Sequence, residues 1–148
     1  MKPMTSTRAY LESTVMTARP EQLQLMLYEG AIRFAQNLRS SLQAGDFEGA
    51  YNAYERVSAI LNELQNGLRP SANAELCEKY SALYDFVQRR LDDASLKRES
   101  VLVDDAITIL NHLRQTWILV MEKIRNERIG DFPSQAEPAD YAPLAVDA

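Results

Sequence analysis

Apolar residues recur at alternating steps of three and four along most of this chain, which is the period of helices that bury one face. In residues 17–42, Leu23, Leu27, Ala31, Phe34, Leu38 and Leu42 form such a stripe, while Leu25, Tyr28 and Ile32 fall outside it, close to the opposite side. A helix covered on one face carries charge or amide there, so these three residues point to a second covering partner or to a helix buried all round. Pro20 suits a first helical position, Glu21 complements the positive end of the helix, and Gly45 can take the left-handed conformation that ends it near Ala44. Asp46 is placed to cap a second helix carrying Phe47, Ala50, Tyr54, Val57, Leu61, Leu64 and Leu68, which Pro70 stops. Leu76, Tyr80, Leu83, Val87, Leu91 and Ala94 predict a third, with Glu75–Lys79 and Asp85–Arg89 spaced as solvated pairs on its outer face. After a break at residues 96–100, Val103, Ala106, Leu110, Leu113, Trp117, Val120 and Ile124 predict a fourth, with Asp104 and Asp105 in its early turns.

Four helices of roughly 22 to 25 residues joined by short connections predict an all-α fold, an antiparallel up-down-up-down four-helix bundle over residues 19–125. Residues 1–18 are polar with scattered apolar positions and read as an N-terminal arm that Tyr10 and Val15 would tie down. Residues 126–148 are acidic and rich in Pro and Ala, a composition that buries too little apolar surface to repay ordering, so a mobile, disordered tail is expected. Phe132, Tyr141 and Leu144 are its candidates for a short partner motif.

Composition narrows the function classes. A chain of 148 residues, 46% hydrophobic and 25% charged, suits one globular domain, and no apolar run approaches the length of a membrane span. The formal net charge of -5 argues against a broad nucleic-acid surface, which needs an excess of Lys and Arg. The single Cys77 cannot form an internal disulfide and the N-terminus has no secretory-signal order, so a cytoplasmic location is expected.

Catalytic and cofactor patterns are absent. A di-iron bundle needs inward carboxylates with Glu-x-x-His repeats, and the one histidine, His112, has no Glu three residues before it. There is no C-x-x-C-H haem motif, P-loop, glycine-rich dinucleotide turn or GxSxG elbow, so no metal, cofactor or catalytic residue is assigned. Cys77 reads as a small buried hydrophobe. The enzyme-linked alternative is a phosphorelay carrier using His112, with Arg114 as the assisting cation; Gln115 and Thr116 stand where such a domain would carry Lys and Gly. A helical signalling or assembly adaptor is the broader form of that alternative.

The run Ala9-Tyr10, Val15, Thr17-Ala18, Pro20, Leu23, Met26-Leu27-Tyr28 and Gly30-Ala31-Ile32 resembles the opening of the FliS family of flagellin export chaperones. Leu83 to Leu91, Ala94, Leu96, Leu110, Leu113 and Trp117 are similar to that family's later helices, so the resemblance spans residues 9–124. Arg19 stands where the family commonly has Ser before the Pro, Ser95 replaces a common Asn, and Glu29 replaces a usual Asp; the first two touch helix ends and not apolar surface.

The resemblance implies a cytoplasmic, non-catalytic four-helix bundle that binds the C-terminal segment of flagellin, prevents its premature polymerisation and aids delivery to the flagellar export apparatus. Such a chaperone offers amphipathic client helices an apolar groove. Leu25, Tyr28 and Ile32 are candidates for that surface, and Tyr84, Ile107, Ile118 and Met121, at the flank of their seams, are groove wall or peripheral core. Trp117 is expected in the core, and the arm carrying Tyr10 and Val15 matches a family segment that lies over part of the client surface.

Overall fold

The structure, a computed structural model, describes residues 19–131 and the side chains of residues 19–128. The expected arm with Tyr10 and Val15, and the tail from Phe132 onward, lie outside the described residues. Four helices follow one another: α1 (Pro20–Ala44), α2 (Phe47–Asn66), α3 (Ala74–Lys97) and α4 (Val101–Asp131). Among the described residues there is no strand, so the fold is all-α. α4 runs on to Asp131, past the boundary at Asn126 expected from composition; Ile124 and Arg128 are half-buried there, so the last turns still have something to cover them.

Local chemistry accounts for most helix ends. Gly45 adopts φ +75°, and around it the Asp46 amide donates to the Ser41 carbonyl at 2.8 Å and the Gly45 amide to Leu42 at 3.2 Å. That paired pattern closes α1 in the way a glycine after the last helical residue permits. Asp46 then caps α2, its carboxylate accepting from the Gly49 amide at 2.9 Å. α2 stops at Asn66, just short of the expected Leu68, and Asn73, which the sequence pattern did not single out, caps α3 by accepting from the Leu76 amide at 3.0 Å. α3 ends on Arg98 at φ 56°, a left-handed conformation that costs a non-glycine residue about 1–2 kcal/mol. Its guanidinium lies 3.8 Å from the centre of the Phe47 ring, a contact that offsets part of that cost.

The chain divides into two units, one of residues 27–117 and one of the remainder. The larger unit takes a portion of every helix and is the four-helix bundle. Its core contains Tyr28, Ala31, Ala35, Leu38 and Leu42 of α1 and Ala50, Ala53, Val57, Leu61 and Leu64 of α2. Tyr84, Val87, Leu91 and Ala94 of α3 and Val103, Ala106, Ile107, Leu110 and Leu113 of α4 complete it. The α1 seam is rotated from the expected one: Tyr28 and Ala35 point inward, while Leu27 and Phe34 are half-buried beside the core. Both registers share Ala31, Leu38 and Leu42 and both obey three-four spacing, so periodicity alone does not separate them. Ala35 is buried in this core together with Ala50 and Ala53 of α2.

Two other seam assignments are corrected. Phe47 is 42% exposed, with Arg98 over its ring, and Leu76 is 49% exposed in the first turn of α3. Each occupies a helix start, where fewer neighbours surround a side chain than in mid-bundle. Asp85, expected to pair with Arg89, accepts instead from Gln65 Nε2 of α2 at 2.9 Å. Between helices, Arg39 meets Asp104 at 2.7 Å, Arg90 meets Asp105 at 3.5 Å, and Arg114 meets Glu29 at 3.1 Å. These pairs are partly exposed, so they favour register more than they add stability.

The smaller unit contributes Arg19, residues 20–26 of α1 and residues 118–131 of α4 to the described structure. Arg128 and Glu21 approach to 3.8 Å within it.

Candidate functional site

Two of the nine expected partner-binding residues, Tyr10 and Val15, lie outside the described residues, and the other seven separate by burial. Tyr28, Tyr84 and Ile107 are core: their exposures are 2%, 1% and 8%. The Tyr28 and Tyr84 hydroxyls meet at 2.7 Å, so two large side chains from α1 and α3 enter the interior without leaving either oxygen unbonded. For these three, the choice between groove wall and core falls to core in the isolated chain. Ile32 is half-buried and packed against that core, at the edge between interior and surface. Trp117, expected in the core, is half-buried and packed against it.

Leu25, Ile118 and Met121 belong to the smaller unit, and all three are half-buried. Their surroundings distinguish this unit from the bundle. Its helical stretches carry Leu23, Leu25 and Met26 on α1, and Ile118, Leu119, Val120, Met121 and Ile124 on α4. None of the residues whose side chains are described in these stretches is fully buried, and Leu119 is 64% exposed. Residues 118–121 are consecutive, and at about 100° per residue they circle most of the helix axis. No single packing face accommodates all four, so apolar surface remains only partly covered. The sequence reading had Ile118 and Met121 but missed Leu119. Its signal was the unbroken apolar run itself, which a search along one seam passes over.

The chemistry of the rest is that of a scaffold. His112 is exposed, and Arg114, the cation expected to assist it, is held by Glu29 through both Nε and Nη2 at 3.2 and 3.1 Å. Cys77 is half-buried in the first turn of α3. Among the described residues, no group of three or more His, Cys, Asp or Glu is arranged to hold a metal ion, and no helix is long and apolar enough to cross a membrane. Tyr54 of α2 shows a titration shift whose cause lies between helices. Its hydroxyl donates to Asp92 of α3 at 2.5 Å, and that bond, followed by burial, raises its pKa above 10.0.

A helical bundle with apolar surface left over and these polar contacts directed between its own helices is a binding protein by class. The family described as "Flagellar protein FliS" matches residues 3–124, and the chain belongs to that family. It is 29% identical over 122 residues to the flagellar secretion chaperone FliS of Bacillus subtilis, covering 82% of this chain and 90% of the relative. It is 31% identical over 114 residues to the flagellar secretion chaperone FliS of Salmonella typhimurium, covering 76% and 84%. A solved structure titled "Crystal structure of flagellar chaperone from bacteria" superposes with a TM-score of 0.66 at 21% identity, over 82% of this chain and 98% of the other, and supports the fold. Membership places the chain among secretion chaperones of the flagellar system, a family of chaperones and not of enzymes.

Proposed function

We propose that this protein is a cytoplasmic export chaperone that binds the C-terminal segment of flagellin on an apolar surface, keeps it from polymerising prematurely, and aids its delivery to the flagellar export apparatus. The observation that carries this reading is the apolar run at residues 118–121, half-buried to exposed on a helix that a single face cannot cover. An amphipathic client helix laid on such a surface buries its own apolar face and that of the chaperone together. Leu25, Ile118, Leu119 and Met121 supply contacts in the smaller unit. Tyr28, Tyr84 and Ile107 belong to the packed interior of the bundle unit. Tyr10 and Val15 belong to the proposal as the arm that lies over the client surface. The absence of a broad basic surface, at a net charge of -5, suits an apolar client better than a nucleic acid.

Titrating the full chain with a peptide of the flagellin C-terminal segment tests the reading. Binding is expected, and Leu119→Ser is expected to weaken it about tenfold while leaving the urea midpoint nearly unchanged, because this side chain is already mostly in water. No binding by the unaltered chain, or equal affinity in the Leu119→Ser variant, would remove this surface from the function.

A further inference from the structure

A second site lies within the bundle unit, in the groove between α1 and α2. Phe34, Asn37, Ser40 and Ser41 of α1 and Gly49, Asn52, Ala53 and Arg56 of α2 line an open pocket of about 330 Å³. This is at the lower end of the size of ligand pockets, about 300–1,000 Å³. Its chemistry is unlike the rest of the surface. The chain is acidic overall, yet no carboxylate lines this pocket.

Two guanidiniums lie against the Phe34 ring, and of the two Arg56 lines the pocket. Arg33 and Arg56 lie 5.4 and 5.5 Å from the centre of the Phe34 ring. Neither forms an ion pair among the described residues, and the reason is legible in the sequence. Arg56 has Asn52 four residues before it and Ala53 three before, so no acid is within helical reach on that side; Ile60 and Ala59 stand on the other. Arg33 does have an acid four residues earlier, Glu29, but Glu29 is taken by Arg114 of α4. The carboxylate of Asp46, beside Gly49, is engaged in capping α2. Two like charges are thus held at one ring with no internal counter-charge, and the side chains of Asn37 and Asn52 make no hydrogen bond among the described residues.

We propose that the α1–α2 groove is a docking site for an acidic peptide segment, with an Asp or Glu side chain on Arg56 and the peptide main chain on Asn37 and Asn52. A guanidinium fork matches a carboxylate bidentately. An Asn amide offers both a donor and an acceptor, which an extended peptide backbone uses and a simple oxyanion does not. Ser40 and Ser41 extend the polar wall, and Phe34 keeps the guanidiniums in place. The groove shares no residue with the apolar surface proposed for flagellin, and its chemistry does not depend on that reading.

Calorimetric titration of the full chain with a synthetic peptide of Ser, Gly and Glu tests it, beside the same peptide with Gln for every Glu, and with inorganic phosphate as a free anion. The Glu peptide is expected to bind and to weaken as salt is added. The Gln peptide is expected to bind about tenfold more weakly or worse, as loss of a charged hydrogen-bond partner predicts. Arg56→Gln should lower affinity similarly. Asn52→Asp is the more decisive variant, because it sets an acid four residues before Arg56 in the order that favours the helix, so the fold is kept while the guanidinium is neutralised from within. It should lose the Glu peptide and retain the flagellin peptide. Equal binding of the Gln peptide, undiminished binding by Asn52→Asp, or displacement of the Glu peptide by phosphate as effectively as by the peptide itself would overturn the assignment. Parallel loss of the flagellin peptide in Asn52→Asp would overturn the separation of the two sites.

Discussion

Ser95 lies near the end of α3, and its hydroxyl is buried without a hydrogen-bond partner. A buried polar atom left unbonded costs about 1–3 kcal/mol in general. Ser95→Ala removes the hydroxyl without changing the backbone, so the expected result is a rise in stability of up to about 1 kcal/mol, read as a higher urea midpoint. A drop in the midpoint would show that the hydroxyl is bonded. Tyr54 makes the opposite case, a hydroxyl that the fold uses. Its pKa is raised in the folded state by the bond to Asp92 and then by burial, so folding favours the protonated phenol. The sign follows: this contribution is complete below the unfolded pKa of about 10 and is lost as pH rises through the higher folded value. Tyr54→Phe should therefore flatten the loss of stability above about pH 10, measured by urea unfolding across alkaline pH. An unchanged alkaline slope would place the sensitivity elsewhere.

At the scale of a helix, the rotated seam of α1 makes a direct comparison possible. Leu38 is fully buried and Phe34 is half-buried beneath Arg33 and Arg56, although both lie on the stripe read from spacing. Leu38→Ala leaves a cavity in the bundle and is expected to cost about 2–5 kcal/mol. Phe34→Ala should cost clearly less despite the larger side chain, because its half-buried ring is flanked by two guanidiniums and not enclosed by core. Urea unfolding of the two variants decides it, and a greater loss for Phe34→Ala would return the seam to the expected register. Helix ends obeyed simpler rules. Pro20, Gly45 and Asp46 act where their backbone and side-chain chemistry placed them. Asn73 and Arg98 were missed for different reasons. Asn73 lies in a polar link with several possible caps, and Arg98 adopts a conformation that glycine or asparagine would ordinarily supply.

For the whole molecule, the tail beyond Asp131 falls outside the family match at residues 3–124, and its composition offers no packing pattern. Deleting residues 132–148 is expected to leave both the urea midpoint and the flagellin-peptide affinity within about twofold, whereas a large loss of affinity would make the tail part of the site. Cutting at 126 is a different experiment, because it also removes Arg128 and its contact with Glu21.

The all-α class, the order of four helices and most of their ends were determined by the sequence alone, because spacing, caps and breakers act over a few residues. The surplus of apolar positions on α1 was legible too, and with it the need for a cover. Only the tertiary structure decided which positions that surplus comprised. Tyr28 pairs with Tyr84 across two helices, and Ile107 closes into the same core, because neighbours distant in sequence arrive there. Leu119 keeps its exposure because no described helix covers it. Periodicity fixes the angle between side chains on one helix, but the angle at which that helix turns toward its neighbours is set by how the side chains of all four fit together.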